Sequence, residues 1–556
     1  MAQEDQTITW RLSDRGMGVL ERAGLAALHM TLRAAEEQSA DLRPLRWTAG
    51  DLTPDSVTLR WKEKGERAFK KLFEYAWQVR DGVFYLPGVH REDEQKEFAY
   101  RRVPTHNGLL GTFLQHINVQ PRAKEVTRIT EQVEEDKQIT VQFKVVRRSH
   151  IKPIRDLKKL FLRKSLTTKP VTLSGWVMPG IAPRYGTEKA WQGHARLALL
   201  LMLAPIACLY LRLKGKGSNR IVVAPDVSDL DEFSKVRPTL LLSPDAADAA
   251  SLGDAGLRFA AEYATRSLHQ EMPVACRVVA MGKVDYYRSQ SVRKAVLDVK
   301  PALSSVERYQ NLLGAFPNTY VSLRDVAPAT SESVVDAVLQ SDDDDAEDQR
   351  ASGYFRVPSG RGRIADNIVA GRPWYSDLFT PLVWDVYGLE RQRKKSRGTS
   401  VERIYFKNIS YQRRNLMELI QEQEMWDTES ERYFVEAFWE ILASLYAQEA
   451  KAVERGGSRK VEDRLDDLNE DIRRSLMRAK TRVLLRGYLA ELFAKGGRQP
   501  ALVQNRAEIW KLMDHPWEWK RARDLALLAL ATYQSKEKRG QAQAQSSRSS
   551  EKGEQS

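Results

Sequence analysis

The apolar run LALLLMLAPIACLYL, residues 197–211, decides between a membrane protein and a protein with a buried core. It is shorter than the roughly 20 residues that a membrane-spanning helix needs. Pro205 interrupts the run, and Arg196 and Arg212 flank it. The run therefore predicts a buried core helix kinked at Pro205. The opening MAQEDQTITW carries neither the basic nor the apolar region of a signal peptide, so we expect a cytoplasmic protein with no membrane partner.

On both sides of this run, strand-like stretches alternate with helical patterns. The strand-like stretches are TITWRLS (7–13), ITVQFKVV (139–146), PVTLSGWV (170–177), RIVVAPD (220–226), PTLLLS (238–243), VACRVVAM (274–281) and NTYVSLRD (318–325). Helical periodicity covers residues 16–37, 187–213 and 246–270, and Gly24 in the first of these predicts a close helix contact. The mixture lacks a strict βαβ repeat or a nucleotide-binding turn and therefore predicts an α+β fold.

The chain of 556 residues is too long for one ordinary core, so several domains are expected. Beyond residue 400 only helical periodicity appears, over 411–426, 428–455, 459–495, 500–513 and 516–535. We predict a large mixed α/β nucleic-acid-binding region over residues 1–400. An all-α helical bundle over 401–535 and a disordered, low-complexity tail over 536–556 follow it.

Basic residues dominate the charge of the chain, with 88 Lys and Arg against 74 Asp and Glu, a net +14. The densest stretch is VQFKVVRRSHIKPIRDLKKLFLRKSLTTKP, residues 141–170, in which Asp156 alone opposes ten Lys and Arg. Such density requires screening by solvent or by a polyanion. We predict a helix over residues 154–164 and phosphate contacts from Lys144, Arg147, Arg148, Lys152, Arg155, Lys158, Lys159, Arg163 and Lys164. The alternative is a basic surface segment that touches nothing.

A second basic segment, YFRVPSGRGRIADNIVAGRPWYSDL, spans residues 354–378 and mixes arginines with aromatic residues. Guanidinium groups bind phosphate bidentately, and aromatic faces can hold unstacked bases. The segment predicts further phosphate contacts from Arg361, Arg363 and Arg372. The alternative is an ordinary loop whose aromatic side chains, Trp374 and Tyr375 among them, turn into the core.

Motifs for catalysis are missing from the sequence. It contains no GxxxxGK[ST], GxSxG or HExxH pattern, and none of its eight histidines pairs with another at the spacing of a helical metal site. Cys208 and Cys276 have no neighbouring ligand either. We therefore expect a binding protein without cofactor, metal or catalytic centre. The alternatives are a metal-dependent nuclease whose site is not recognised and a scaffold that binds only protein.

Three features together resemble one protein family: the opening ITWRLSDRGMGVLERAGLAALHMTL, the mixed middle that contains GRPWYSDL, and the all-helical end. The chain resembles the large subunit of type I CRISPR Cascade effectors, in the MYXAN-type or I-B-like branch. The resemblance implies a non-catalytic subunit at the 5′ end of a guide crRNA. Such a subunit binds target double-stranded DNA, recognises the protospacer-adjacent motif and helps to form the R-loop.

The implied partners are the other Cascade subunits, namely the backbone filament, the subunit that binds the 5′ handle and the small subunits. A downstream helicase-nuclease or a transposition machinery is a further implied partner. Polar side chains in loops are candidates for reading the motif, and Asn and Gln among them can pair bidentately with adenine. These candidates are Asn107, Gln115, Asn118, Arg288, Ser289 and Gln290, with caps or turns as the alternative. An internal translation start at Met417 or Met425 would yield a small helical subunit.

Overall fold

The computed structural model describes residues 5–90, 102–114, 126–134, 137–146, 154, 156–173, 191–213, 219–240, 246–267, 273–284, 287–322, 353–358, 360–381, 400–455, 460–516 and 519–533. Only the backbone is described at residues 126, 131–134, 137–140, 219, 282–284, 287–294, 322 and 353–354. The chain divides into two compact units. The first comprises residues 1–310 and 317–369, and the second comprises residues 311–316 and 370–556.

The first unit mixes strands and helices in the order β1 (Gln6–Arg11), α1 (Val19–Glu37), β2 (Ser56–Trp61), α2 (Gly65–Ala76), β3 (Gln78–Arg80), β4 (Val83–Tyr85), α3 (Val103–Gly111), β5 (Val126–Glu134), β6 (Lys137–Lys144), β7 (Phe161–Leu162), β8 (Ser165–Leu166), β9 (Val171–Leu173), β10 (Trp191–Gly193), α4 (Ala195–Ala207), β11 (Leu209–Leu213), β12 (Asn219–Pro225), α5 (Leu230–Val236), β13 (Asp248–Ala249), α6 (Leu252–Arg266), β14 (Cys276–Val284), β15 (Tyr287–Val299), α7 (Leu303–Ala315), β16 (Thr319–Ser322), β17 (Gly353–Arg356) and α8 (Arg361–Val369). The last residues of α7 belong to the second unit.

The apolar run is a core helix, as the sequence predicts. Residues 198–204 of α4 are fully buried, and α4 packs closely against α1. A Cβ atom on Gly24 would lie 2.1 Å from the carbonyl oxygen of Leu200, which confirms the predicted close contact. The helix predicted over 187–213 is wrong in extent, since β10 precedes α4 and β11 follows it. Pro205 cannot continue the helical hydrogen bonds, and the helix ends two residues later, at Ala207.

A five-stranded sheet forms the centre of the first unit, in the order β13-β11-β12-β14-β15. Its neighbouring strands are antiparallel except for β11 and β13. Helix α6 lies against the sheet, where a Cβ on Gly256 would come 2.6 Å from Val299. A four-stranded sheet has the order β16-β17-β6-β5. The strand predicted at 238–243 is wrong at its start, because Arg237–Thr239 form a 3-10 turn.

The second unit consists of helices: α9 (Val401–Ser410), α10 (Arg413–Gln421), α11 (Glu429–Glu454), α12 (Val461–Arg478), α13 (Arg482–Gly496), α14 (Pro500–Gln504), α15 (Arg506–Asp514) and α16 (Trp519–Thr532). Between residues 400 and 533 the described parts of the chain contain no strand. The predicted helix 459–495 is interrupted because Thr481 caps a new helix, its hydroxyl accepting a hydrogen bond from the Leu484 N–H at 3.3 Å. The predicted α+β, multi-domain fold class is confirmed. The tail 536–556 lies outside the described residues.

Candidate nucleic-acid interface

The basic stretch forms a short hairpin instead of the continuous helix predicted over 154–164. Leu157–Lys159 make one 3-10 turn, and β7 and β8 then pair antiparallel. Arg163 and Lys164 form the turn between these two strands. The φ angle of Arg163 is 58°, in the left-handed region that non-glycine residues rarely adopt. We call residues 157–166 the basic hairpin.

Two backbone carbonyl groups of the turn are hydrogen-bonded to residues that precede it by about a hundred positions. The indole N–H of Trp61 donates to the carbonyl oxygen of Lys164 at 2.8 Å. The backbone N–H of Gly65, the first residue of α2, donates to the carbonyl oxygen of Arg163 at 3.2 Å. A Cβ on Gly65 would lie 2.3 Å from the ring of Phe161, so only glycine permits this approach. These contacts hold the turn in place and explain why local helical spacing misled the sequence analysis.

The hairpin presents its positive charge to solvent. Lys158 and Arg163 are exposed, and Lys164 is half-buried. The ammonium nitrogen of Lys159 lies 3.0 Å from a carboxylate oxygen of Asp156, whose own side chain is buried. Arg163 and Lys164 lie on the anchored turn, and Lys158 and Lys159 lie on the 3-10 turn just before β7. Together they form a cationic surface suited to phosphate groups.

Lys144 lies at the end of β6 and is exposed. Helix α3 fixes the backbone beside it: the Nε2 atom of His106 is 2.7 Å from the Lys144 carbonyl oxygen. The amide nitrogen of Asn107 donates to the carbonyl oxygen of Gln142 at 2.7 Å. Burial lowers the pKa of His106 to about 4, so this ring is neutral at physiological pH. Asn107 therefore lies on a helix, not in the predicted loop, and its amide nitrogen supports β6.

Arg361 does not present its charge to solvent, contrary to what a phosphate contact needs. Its side chain is fully buried, and a guanidinium nitrogen lies 3.0 Å from a carboxylate oxygen of Asp254. The hydroxyl group of Tyr309 donates to the other oxygen of Asp254 at 2.6 Å. A buried carboxylate thus holds Arg361 inside the first unit, and we leave this residue out of the candidate interface.

The aromatic residues of the second basic segment are also internal. Trp374 and Tyr375 are fully buried, and the Tyr375 hydroxyl donates to Glu431 at 2.6 Å. The alternative of aromatic side chains turned into the core is therefore correct for this pair. Arg372 is exposed, while Arg363 on α8 is half-buried. Of the three predicted contacts in the segment, Arg372 is the one with an exposed side chain.

The remaining predicted residues are described only in part or lie outside the described ranges. Arg147, Arg148, Lys152, Arg155, Gln115 and Asn118 lie outside the described residues. Arg288, Ser289 and Gln290 belong to β15, of which only the backbone is described there; the segment is a strand, not the predicted loop. Within the described residues, no group of His, Cys, Asp or Glu side chains is arranged to hold a metal ion. No helix in the same residues is long and apolar enough to span a bilayer.

Sequence reasoning missed the residues that position the hairpin. Trp61 ends β2 and Gly65 begins α2, and both read as ordinary parts of a strand and a helix. The residues SVTLRW alternate between partly buried and buried positions, as expected for a strand. This alternation predicts that Trp61 is buried, but it does not predict the hydrogen bond from Trp61 to the turn. Fold and site together define a two-unit α+β protein with an anchored cationic surface.

Comparison with known proteins names the class more closely. The family model described as the DevT N-terminal domain matches residues 9–202, and that of the DevT C-terminal domain matches residues 421–556. The chain is 26% identical over 545 residues to the CRISPR-associated protein Cas8a1/Csx13 of Myxococcus xanthus (strain DK1622). The match covers 95% of this chain and 88% of that protein. The chain belongs to the family of large subunits of type I CRISPR effectors.

Proposed function

We propose that this large subunit binds target double-stranded DNA, recognises the protospacer-adjacent motif and assists duplex opening within a guide-loaded Cascade complex. It acts without a catalytic centre of its own and recruits a downstream helicase-nuclease or transposition machinery. The basic hairpin is the observation that supports this proposal most directly. Trp61 and Gly65 hold the backbone of its turn, so this part of the chain need not be ordered when DNA binds.

Phosphate contacts are the expected role of the hairpin. Lys158, Lys159, Arg163 and Lys164 would neutralise backbone phosphates without reading sequence, and Lys144 and Arg372 are further exposed candidates. Each neutralised phosphate lowers the slope of log affinity against log salt by about 0.9. The hairpin would therefore fix the position of the subunit on the duplex, while other side chains read the motif.

The direct test measures binding of a purified, guide-loaded complex to a duplex library randomised beside a matched target. The complex is prepared with and without this chain. Enrichment of a short flanking motif that requires the chain would support motif recognition. Equal selection by both preparations would contradict it.

The hairpin is tested separately by charge reversal. Lys158→Glu combined with Arg163→Glu should weaken all library members alike, on the order of 50-fold at 0.1 M salt, and reduce the salt slope by about 2. The matched control is Arg43→Glu with Arg67→Glu, two exposed cations that already lie near Asp41 and Glu63 at 2.8 and 3.4 Å. If both double variants lose the same affinity, general charge rather than the hairpin is responsible.

The non-catalytic part of the proposal has its own measurement. The isolated chain is incubated with duplex and single-stranded DNA in the presence of Mg²⁺ or Mn²⁺, and the products are separated on a gel. We expect intact substrates. Metal-dependent cleavage that co-purifies with the chain would favour a nuclease instead.

A further inference from the structure

Helix α13 carries apolar residues on its solvent side as well as on its core side. Its core side buries Leu485, Leu489 and Phe493. On the outer side, Val483 is 73% exposed and Leu484 is 58% exposed. Single exposed aliphatic residues are common, but two adjacent ones on a helix that already has a buried face need a further reason.

Gly487 lies one helical turn after Val483 and extends the same face. A Cβ added at this glycine would meet no atom within 4 Å, so the position is open. A glycine in a helix interior costs about 1 kcal/mol relative to alanine. Its bare backbone allows another helix to approach closely, because the spacing between packed helices depends on the side chains at the contact. We call Val483, Leu484 and Gly487 the α13 patch.

Positive charge precedes the α13 patch along the chain. Arg478, Lys480 and Arg482 precede it directly and are exposed. The first turn of α13 contains no acidic residue, although carboxylates there would interact favourably with the helix dipole. Within the described residues, Arg478 and Lys480 form no ion pair. Arg482, in the first turn of α13, opposes the dipole of that helix and donates a hydrogen bond to the backbone carbonyl oxygen of Asp514 at 2.9 Å.

Arg486, the next cation along the helix, differs from Arg478 and Lys480. Its guanidinium lies 2.9 Å from a carboxylate oxygen of Asp514 and 5.5 Å from the centre of the Trp510 ring. This arginine is held within the second unit and marks one border of the patch. The cations available to a partner are Arg478 and Lys480, which lie just before α13.

We propose that the α13 patch is a docking surface for a helix of another protein, one with an apolar stripe flanked by Asp or Glu. The Asp or Glu residues beside the partner's apolar stripe would complement the positive charge next to the patch. The open position at Gly487 would allow the partner helix to pack closely. The aliphatic character of Val483 and Leu484 argues against single-stranded nucleic acid, which stacks its bases on aromatic side chains. This inference concerns the second unit and does not depend on the basic hairpin.

Photo-cross-linking in the assembled complex tests this proposal. A benzophenone amino acid replaces Val483 in the guide-loaded complex, which is purified through a tag on another subunit and irradiated. The matched control places the same group at Val503 on α14, which is also aliphatic and 59% exposed. We expect a protein adduct from position 483 and none from position 503, with mass spectrometry locating it in a helix rich in Asp, Glu and aliphatic residues. A nuclease-sensitive adduct, an adduct to a second copy of this chain, or no adduct would overturn the proposal.

Substitutions measure the two components of the surface. Val483→Ser with Leu484→Ser should weaken retention of the cross-linked subunit by about tenfold to a hundredfold. Arg478→Glu with Lys480→Glu should weaken it as well, and more strongly at low salt. Val503→Ser is the control and should change nothing. Unchanged retention in both double variants, with unchanged thermal unfolding, would contradict the proposal even if a cross-link forms.

Discussion

The basic hairpin and the segment at residues 354–378 share a feature of sequence, since both are basic and contain aromatic residues, Phe161 alone in the hairpin. In the structure, Arg163 of the hairpin is exposed, whereas Arg361 of the second segment is fully buried. The difference lies in their neighbours. Arg361 meets the buried carboxylate of Asp254, while the hairpin is anchored through backbone carbonyl groups that leave its side chains free to face solvent. Charge density alone therefore does not locate a binding surface.

Removal of the Arg361 guanidinium should have the largest effect. Arg361→Met removes the guanidinium that pairs directly with buried Asp254, which costs about 3–5 kcal/mol of unfolding free energy. Denaturant unfolding followed by circular dichroism measures this loss. Arg372→Met is the matched control, because that exposed arginine should change stability by less than about 0.5 kcal/mol.

A double variant sharpens the test at the same site. Asp254→Asn combined with Arg361→Met removes both charges and should recover part of the stability lost in Arg361→Met. If the single variant unfolds like the wild-type chain, the ion pair does not account for the burial of Arg361. The contrast with the hairpin would then need another explanation.

The next largest effect is the contribution of Asp524 to the pH dependence of the free energy of unfolding. This buried carboxylate accepts a hydrogen bond at 2.9 Å from the backbone N–H of Asp377, near the end of the second segment. Burial is the main cause that raises the pKa of Asp524 from 3.8 to about 6. The folded state therefore holds the proton more tightly than the unfolded state. The stabilisation is complete below about pH 4 and is lost as the pH rises through about 6.

The full shift corresponds to about 3 kcal/mol, of which the interval from pH 4.5 to pH 7 covers about 2 kcal/mol. Urea unfolding of the wild-type chain at pH 4.5 and pH 7 should show this contribution, which Asp524→Asn should remove. Asp471→Asn changes a carboxylate whose side chain is 76% exposed and should leave the pH dependence as in the wild type. Identical pH profiles for the wild type and Asp524→Asn would contradict the assignment.

Local patterns in the sequence predict much of the fold. The apolar run, the helix α1 and the close approach at Gly24 follow from composition and period, and all three are present. The form of the candidate site depends on distant residues instead. Arg163 adopts its conformation beside Trp61 and Gly65, and the 3-10 turn and hairpin replace a helix that local spacing favours. No alternation or spacing rule connects positions so far apart in the chain.

The smallest effect separates stability from binding within the hairpin itself. Arg163→Gly should relieve the left-handed backbone conformation while adding unfolded-state entropy. The two contributions nearly cancel, so stability should change by less than about 1 kcal/mol. Loss of one phosphate contact should lower DNA affinity about eightfold at 0.1 M salt. Thermal unfolding and a binding titration on the same preparation measure both quantities.

Lys158→Gly is the matched variant, because Lys158 is exposed on the same hairpin and has no left-handed backbone. It should lose similar affinity but gain nothing from strain relief, so its stability should fall below that of Arg163→Gly. A stable Arg163→Gly that binds weakly would mean that the turn keeps a strained arginine for its charge. If Arg163→Gly is instead as destabilised as Lys158→Gly, the hydrogen bonds from Trp61 and Gly65 already offset the backbone strain at Arg163. These hydrogen bonds would then be sufficient to explain where the charge of Arg163 lies.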